Sequence, residues 1–459
     1  MVKITLGYVP TRRDVFSKEE ALRYHTLIRK KISNWEADVV DIDDINDEGL
    51  LFRENDLSAI IKKMQDHNID GLFFPHCNFG TEDLVAKLAK AIDKPVLLWG
   101  PRDDTPLENG LRTRDTQCGL FATGKILRRF NVPFTYIENS WLDAPVFEQG
   151  YRKFVAVCAV IKAFRNLRIL QLGTRPDPFW SVICNEGELL ERFDIQTFPL
   201  SLIDLVEKTN NIHGKKNDKF KEVVAKIRNT IKVNAEDEAD LEKIAALKLA
   251  IRGLCEEHGC TCVAIQCWHA LQKGLGIMPC LVNGLLAEEG IPVTCETDIH
   301  GAITAILLQE ASLASSPVFF ADLTVRHPTN ENAELLWHCG NFPPSLADDS
   351  CIKELGHNFI FPSHKCGTGE WKLRDGEVTV CRFDGDHGEY RMFIGVGRGI
   401  DGPRTKGTYF WLEVDNWAKW ERTLVEGPYI HHCAAVHGQY ADILEEACKY
   451  IKGIITDRM

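Results

Sequence analysis

Short apolar runs alternate with amphipathic stretches through the first third of the chain. Stretches at 18–31 and 56–66 have the apolar spacing of helices. Four runs predict strands, at 2–9, 38–42, 71–75 and 95–99. Strands that alternate with helices indicate a parallel, doubly wound sheet with helices on both faces. We assign a first α/β, Rossmann-like domain to residues 1–165.

The same alternation begins again near Arg168. Apolar runs at 169–172, 262–265 and 291–295 predict buried strands, and 237–258 has the pattern of a long amphipathic helix. We therefore expect a second Rossmann-like, doubly wound domain at 166–318.

The pattern changes after residue 320. Clusters of Gly, Pro and Asp separate short β-type runs, and a final amphipathic helix is expected over 439–455. The β-type runs lie at 358–361, 378–383, 390–396 and 408–414. This texture predicts a β-rich, barrel-like C-terminal domain at 319–459.

Two carboxylates follow apolar runs on either side of one predicted helix. The strand at 291–295 leads into Glu296, and the run at 318–321 ends at Asp322. We expect the two strand ends to meet at one edge of a sheet, where α/β proteins place their chemistry. Asp298 is suited to cap the helix, which leaves Glu296 without a structural role. Two converging carboxylates suit a hard divalent cation.

Histidines supply further candidate ligands late in the chain. His431 and His432 are adjacent, His437 follows in the same segment, and His338 lies shortly after Asp322. The residues alone do not decide which of them binds an ion.

Composition narrows the class of protein. The chain has 459 residues and a net charge of −12, which argues against nucleic acid or an anionic membrane as the partner. Its 16 cysteines contain no C-x-x-C pair, and no apolar stretch reaches membrane-spanning length. We expect a reduced, cytoplasmic protein. The glycines at 395–399 have the wrong spacing for a dinucleotide loop, so we expect no nucleotide cofactor.

Several segments together resemble the L-fucose/L-arabinose isomerase superfamily of aldose–ketose isomerases. They are GLFFPHCNFGTEDL, LLWGPRD, AIQCWHALQ, VTCETDIHGAITAILL, FFAD and HHCAAVHG. The chain is shorter than typical fucose isomerases, and its pocket segments differ, which indicates a divergent fucose isomerase-like member. The resemblance implies two Rossmann-like domains, a β-rich third domain and a homo-oligomer, a trimer or hexamer, with sites at subunit interfaces.

The resemblance also implies the residues of the site. Glu296, Asp322 and His432 match the ligands of Mn²⁺, or of another divalent cation such as Mg²⁺ or Co²⁺, with His338 a weaker candidate. Glu296 and Asp322 would also be the catalytic acid/base pair, working on an open-chain sugar through a cis-enediol. The sugar hydroxyls would contact residues of several loops: Gln266, Trp268, His269, His76, Asn78 and Arg102. Two roles suit the ring of Trp268 equally well: stacking on the sugar and covering the core.

Two alternatives stay open. The first is the same chemistry on a different substrate, either an acidic or sulfonated sugar such as sulfoquinovose or a pentose such as D-arabinose. Arginines in strand-end loops would suit an anionic sugar. They are Arg12, Arg13, Arg102, Arg112, Arg114 and Arg175. A non-catalytic sugar-binding protein is the second alternative, because two Rossmann-like domains also form hinge-closing sugar traps.

Overall fold

The computed structural model describes residues 2–459, which divide into two compact units, 2–162 and 163–459. We call these the N-terminal unit and the C-terminal unit. Among the described residues, no helix is long and apolar enough to cross a membrane.

The N-terminal unit is built on a five-stranded, all-parallel sheet with the order β2-β1-β3-β4-β5. Its elements are β1 (Thr5–Tyr8), α1 (Lys18–Ile32), β2 (Asp38–Val40), α2 (Leu57–Asp66), β3 (Gly71–Pro75), α3 (Glu82–Ile92), β4 (Val96–Trp99), α4 (Thr116–Arg129), β5 (Thr135–Tyr136) and α5 (Pro145–Phe164). The central strands β3 and β4 are buried at every residue, as expected when helices cover both faces of a parallel sheet. The predicted doubly wound arrangement is confirmed.

The C-terminal unit begins with a four-stranded parallel sheet of order β7-β6-β8-β9. Its elements are β6 (Arg168–Leu172), α6 (Glu186–Phe193), β7 (Gln196–Leu200), α7 (Leu202–Lys215), α8 (Asp218–Thr230), α9 (Glu238–His258), β8 (Cys262–Ile265), α10 (Ala270–Leu275), α11 (Cys280–Ala287), β9 (Val293–Thr294) and α12 (Ile299–Ala311). Every residue of α12 is buried, which explains why its sequence is apolar all round.

A nine-stranded sheet completes the C-terminal unit, with the order β12-β13-β16-β11-β10-β17-β14-β15-β18. An additional β15–β16 pairing closes six of its strands into an antiparallel barrel. The predicted β-rich, barrel-like fold of this region is confirmed. Its elements are β10 (Phe319–Arg326), β11 (Ala333–His338), β12 (Glu354–His357), β13 (Cys366–Lys372), β14 (Glu377–Asp386), β15 (Glu389–Ile400), β16 (Thr408–Glu413), α13 (Trp417–Glu426), β17 (His432–His437), α14 (Ala441–Cys448) and β18 (Ile454–Arg458).

Two local predictions are wrong. Residues 358–361 form no strand but lie in the loop between β12 and β13. The final helix stops at Cys448, and the chain ends in β18, which pairs in parallel with β15.

The expected common sheet edge for Glu296 and Asp322 is also wrong. Glu296 follows β9 of the four-stranded sheet, whereas Asp322 lies inside β10 of the nine-stranded sheet. One hydrophobic cluster nevertheless joins residues of both sheets, such as Leu170 and Val380. We retain 1–165, 166–318 and 319–459 as a proposed division of the chain into domains.

Candidate metal centre

Strand pairing in the barrel brings Asp322 and His432 together. Strands β10 and β17 are antiparallel, and Asp322 lies directly opposite His432 in their register. Residues opposite each other in an antiparallel pair direct their side chains to the same face. The Nε2 atom of His432 lies 3.5 Å from Oδ1 of Asp322. The two residues are 110 positions apart in the chain, so the barrel creates this contact.

Glu296 reaches the same point from the turn that follows β9. Glu296 and Thr297 have φ values of +52° and +59°, a left-handed conformation that costs about 1 kcal/mol or more in residues other than glycine. The turn is held because the N–H of Thr297 donates to the carbonyl of Ile265, at 3.1 Å. Oε2 of Glu296 then lies 3.6 Å from Nε2 of His432.

The other oxygen of Glu296 is fixed by the loop after β8. The indole N–H of Trp268 donates to Oε1 at 2.8 Å, and the thiol of Cys267 donates to the same atom at 3.1 Å. Trp268 therefore positions a carboxylate with its polar edge. Its ring contacts Phe179 and Phe361 edge-on, at centroid distances of 5.6 Å in both cases.

Asp298 caps α12, as predicted, and also orients His432. Its Oδ1 accepts the backbone N–H of Gly301 at 2.9 Å, and its Oδ2 accepts the Nδ1–H of His432 at 2.8 Å. Burial by itself would raise the pKa of Asp298, but the charges of Arg382 and His432 outweigh it and hold that pKa well below its usual range. With Nδ1 donating to Asp298, Nε2 of His432 faces Glu296 and Asp322. Burial lowers the pKa of His432, but the hydrogen bond and charge of Asp298 and the charges of Asp322 and Glu296 outweigh burial and raise that pKa. A carboxylate behind a histidine is the usual support for a metal-binding imidazole.

A buried charge network stands behind Asp298. Arg382, only 1% exposed, pairs with Asp298 and donates from Nε to Asp384 at 2.8 Å. Asp384 in turn accepts the Nδ1–H of His300, also at 2.8 Å. Sequence reasoning missed this network. Its one visible signal is Arg382, a charged residue within the apolar run at 378–383.

His338 is buried close to the carboxylates, on β11. Its Nδ1 accepts the backbone N–H of Cys339 at 2.8 Å, and its Nε2 has no hydrogen-bond partner among the described residues. Burial lowers the pKa of His338, but the charge of Asp322 and the neighbouring Cys339 outweigh burial and raise the pKa to about 10. His338 thus interacts electrostatically with Asp322, and a role as ligand stays a prediction.

The three histidines near the end of the chain have different surroundings. His431 can bring a ring nitrogen within 4.8 Å of ligand atoms of both Asp322 and His432. His437 instead donates from Nε2 to the carbonyl of Arg374 at 3.0 Å, beside the rings of Phe319 and Phe410. Of the three, His432 is the one held by an acidic partner.

Aromatic rings flank the cluster. Phe179, from the loop after β6, stacks on His432 with a centroid distance of 5.6 Å and an interplanar angle of 20°. Phe361 contacts the ring of His269, which has a φ of +48° and is exposed. Gln266, at the end of β8, is partly exposed on the same segment as Trp268. The predicted sugar-binding residues Gln266, Trp268 and His269 therefore belong to the loop that fixes Glu296, and their contact with a sugar stays a prediction.

The predicted sugar-binding residues of the N-terminal unit have other partners. Oδ1 of Asn78 accepts the backbone N–H groups of Arg13 and Gly80, at 2.8 and 3.2 Å. His76 is fully buried, and its Nδ1 donates to the carbonyl of Phe79 at 2.8 Å. Arg102 is exposed, with its guanidinium 5.5 Å from the ring centre of Trp141. Their contact with a sugar stays a prediction.

The residues of the cluster fit a divalent cation. Oδ1 of Asp322 is buried without a hydrogen-bond partner, which is costly for a carboxylate unless a cation compensates. Neighbouring ligands of an octahedral ion at about 2.1 Å lie about 3 Å apart, and Nε2 of His432 lies 3.5 Å from Asp322 and 3.6 Å from Glu296. Asp322, His431 and His432 form a group whose ligand atoms all lie within 4.8 Å of one another. Two carboxylates and one imidazole suit Mn²⁺, Mg²⁺ or Co²⁺, and the donor set does not select among them.

Comparison with known proteins assigns the chain to a class. Residues 7–165 match the family model for the fucose/sulfoquinovose isomerase N-terminal domain. Residues 336–456 match that for the L-fucose isomerase C-terminal domain. The two matched regions lie at the two ends of the chain, on either side of Glu296 and Asp322.

Similarity to curated proteins extends over nearly the whole chain. A sulfoquinovose isomerase of Priestia aryabhattai is 25% identical over 450 residues, which is 97% of each chain. That of Alkalicoccus urumqiensis is 26% identical over 361 residues, covering 78% of this chain and 79% of its own. A periplasmic solute-binding protein from Actinobacillus succinogenes with bound D-allose shares 13% identity, with 67% of this chain and 92% of that chain covered. Its TM-score of 0.17 carries no argument about the fold.

These matches define an aldose–ketose isomerase, an enzyme that acts on sugars. The family is in general metal-dependent, and the described residues include groups of possible metal ligands, one of which is Asp322, His431 and His432. The chain belongs to the fucose isomerase family, as a divergent member of it. The alternative of a non-catalytic sugar-binding protein is thereby set aside.

Proposed function

We propose that this enzyme is a metal-dependent isomerase that converts an anionic, sulfonated hexose of the sulfoquinovose type into the corresponding ketose. The convergence of Glu296 and Asp322 on Nε2 of His432 is the observation that carries the proposal. The three side chains come from three separate segments, and further hydrogen bonds hold Glu296 and His432 in place. Two carboxylates and an imidazole that converge from separate segments are typical of a catalytic metal centre.

A bound divalent ion such as Mn²⁺ would polarise the oxygens at C1 and C2 of the open-chain sugar and make the proton at C2 more acidic. Glu296, Asp322 and His432 would hold that ion. The positive charge would also allow the two carboxylates to stay ionised at close range.

Glu296 and Asp322 would carry the proton between the two carbons. One carboxylate would take the proton from C2 and pass it to O1, which gives a cis-enediol, and its partner would take the hydroxyl proton from O2 and supply a proton to C1, so that both carboxylates end ionised. Glu296 has Oε2 available for this step because its Oε1 is occupied by Trp268 and Cys267. Oδ1 of Asp322 has no hydrogen-bond partner to displace.

Neighbouring side chains would keep the site ordered and poor in water. Asp298 fixes the orientation of His432, and Arg382 fixes Asp298. Phe179 stacks on His432 and contacts Trp268. Apolar rings beside the proton-transfer groups strengthen the electrostatic interactions within the site.

The charge partners of the arginines support an anionic substrate. Four of the six strand-end arginines are already in ion pairs: Arg12 with Glu48, Arg13 with Glu82, Arg112 with Asp115, and Arg114 with Asp103 and Asp104. Within residues 2–459, Arg102 and Arg175 have no carboxylate partner. Arg175 donates to the carbonyl of Asp177 at 2.8 Å, on the loop that carries Phe179. A guanidinium is the group best suited to bind a sulfonate.

The test is an isomerisation assay with Mn²⁺ on sulfoquinovose, L-fucose, D-arabinose and D-glucose. We expect the highest kcat/KM with sulfoquinovose, and loss of turnover in the presence of a chelator. A preference for L-fucose or D-arabinose would overturn the sulfonated substrate. Full activity in metal-free protein would overturn the metal dependence.

Arg175→Gln tests the sulfonate contact directly. We expect kcat/KM to fall at least about 10-fold for the sulfonated sugar, as when a charge-assisted hydrogen bond is lost, with little change for a neutral sugar. Arg13→Gln is the matched control, because Arg13 is already paired with Glu82. Equal losses on sulfonated and neutral sugars would show that Arg175 does not read the sulfonate.

A further inference from the structure

A second group of potential metal ligands lies in the C-terminal unit, on elements that do not contribute to the first. Asp237 directly precedes α9, His357 ends β12 and Cys366 begins β13. His357 and Cys366 are partners in the β12–β13 pairing, next to an irregularity in its register. One ligand atom from each of the three residues lies within 4.8 Å of the other two.

Asp237 lacks the structural role that its position suggests. It stands where aspartate usually caps a helix, yet its side chain makes no capping hydrogen bond to α9. The side chain is 3% exposed, its Oδ1 lies 3.1 Å from Nε2 of His357, and its Oδ2 has no hydrogen-bond partner. A buried carboxylate oxygen without a partner is destabilising unless a cation lies nearby.

We propose that Asp237, His357 and Cys366 form a second cation site, which takes a borderline metal ion such as Zn²⁺. A thiolate, an imidazole and a carboxylate are the three donor types that zinc accepts, whereas Mn²⁺ and Mg²⁺ prefer oxygen. The donor atoms of a tetrahedral zinc site lie about 3.5 Å apart. His357, whose side chain is 49% exposed, has the freedom to close the group around an ion and leaves a route from solvent.

The backbone around Cys366 is held independently of any ion. Its carbonyl accepts the N–H of Met278 at 2.7 Å. The next residue, Gly367, has a φ of +123°, and a Cβ there would lie 2.3 Å from the carbonyl oxygen of Met278. The sulfur atom therefore projects from a fixed point, which is the preorganisation that a metal site needs.

The site would tie together the base of the loop at 358–365. Within this loop, Phe361 contacts Trp268, and the hydroxyl of Ser363 donates to the side chain of Gln272 at 2.6 Å. Trp268 is the residue that donates to Glu296. An ion at Asp237, His357 and Cys366 would thus order a loop that packs against the first metal centre without being part of it.

Cobalt binding to the full-length protein tests this proposal. Metal-free protein is titrated with Co²⁺, and the thiolate-to-cobalt charge-transfer band is recorded in the ultraviolet. The double variant Glu296→Gln/Asp322→Asn should lose one equivalent of Co²⁺ and keep the band. This outcome separates the second site from the proposed function, because the band is expected whether or not the first cluster catalyses isomerisation.

Cys366→Ser should abolish the band and remove one equivalent of metal, and His357→Ala should weaken the binding at least 10-fold. His357 is half exposed, so its variant provides a test even where Cys366→Ser folds poorly.

Cys260→Ser is a matched control, because Cys260 is also buried and its thiol donates to the carbonyl of His258. Cys267→Ser controls for a thiolate near Glu296. A band that survives in both Cys366→Ser and His357→Ala, or no band in the wild type, would overturn the proposal.

Limited proteolysis gives a second measurement. In the wild type, Zn²⁺ should slow chymotrypsin cleavage after Phe359, whose side chain is exposed in the 358–365 loop. The protection should be absent in His357→Ala. Equal cleavage rates with and without Zn²⁺ in the wild type would contradict the ordering of the loop by an ion.

Discussion

The loop after β3 and the turn after β9 contain similar polar residues but use them differently. In the first, the side chains of His76 and Asn78 bond to backbone groups of nearby loops. In the second, Glu296 and Asp298 bond to side chains of other elements, namely Trp268, His432 and Arg382. Polar residues after a buried strand therefore mark two different things: a loop that stabilises itself, and a site that is assembled from distant segments.

The comparison predicts that substitutions in the turn after β9 and its partners change the rate of catalysis, whereas those in the loop after β3 change the stability of the fold.

The largest effect is expected from the two carboxylates. Glu296→Gln and Asp322→Asn should each lower kcat by more than about 10³-fold, because each removes an acid/base group and a ligand. Steady-state assays with saturating Mn²⁺ measure this. Asp386→Asn, an exposed carboxylate on β14, is the control, and near-wild-type turnover in either active-site variant would refute the assignment.

Asp298→Asn should have the next largest effect, through His432. Loss of a carboxylate behind a metal-binding histidine typically weakens metal affinity about 10- to 100-fold. Titration of metal-free protein with Mn²⁺ measures the change in Kd. Asp384→Asn removes the same charge beside Arg382 without touching His432. If the two variants bind Mn²⁺ equally well, Asp298 acts only through the stability of the charge network.

Trp268→Phe should produce a smaller loss of activity. Phenylalanine keeps an aromatic ring at this position, but the hydrogen bond to Glu296 is lost. A hydrogen bond to a charged group contributes about 1.5–3 kcal/mol. We expect kcat to fall about 10-fold with little change in thermal stability. Trp411→Phe removes a comparable indole N–H, which donates to the carbonyl of Pro403 at 2.9 Å. A large rise in KM with kcat intact would instead favour stacking of Trp268 on the sugar.

The smallest effect on activity is expected for Asn78→Ala. Its side chain accepts two backbone N–H groups in a buried position, so the free energy of unfolding should fall by about 1–3 kcal/mol. The kcat and KM of the folded enzyme should be unchanged, as measured by thermal unfolding and steady-state kinetics. Unchanged stability with a higher KM would restore the predicted sugar contact and break the contrast between the two loops.

The chain's periodicity predicts the layout well but not the contacts that complete it. Alternating apolar runs indicate both parallel sheets, and the β-type runs after residue 320 indicate the barrel. Residues 358–361 look like a strand by composition, yet Asn358 is fully buried and its side chain accepts two backbone N–H groups of a turn. Local composition does not contain that tertiary preference.

The candidate site shows the same limit. The residue pattern alone indicates Glu296 and Asp322 as a pair of carboxylates for a cation and Asp298 as a helix cap, whereas the choice of His432 depends on the family resemblance. The bond of Asp298 to His432 depends on the pairing of β10 with β17 and on the packing of α12 against the barrel, which no local pattern encodes. Arg382 could be noticed as a charge in an apolar run, but its partners lie 84 positions away at Asp298 and two away at Asp384.

The pairing of Asp322 with His432 determines where this protein can change in length. A one-residue insertion within β10 or β17 would turn one of the two side chains to the opposite face of the barrel wall. Insertions in the connections between these strands would leave the pair intact, provided that the barrel still closes. Redesign of the enzyme for other sugars should therefore change the lengths of loops in the segment between β10 and β17, which contains β11 to β16 and α13. Strands β10 and β17 themselves should keep their length.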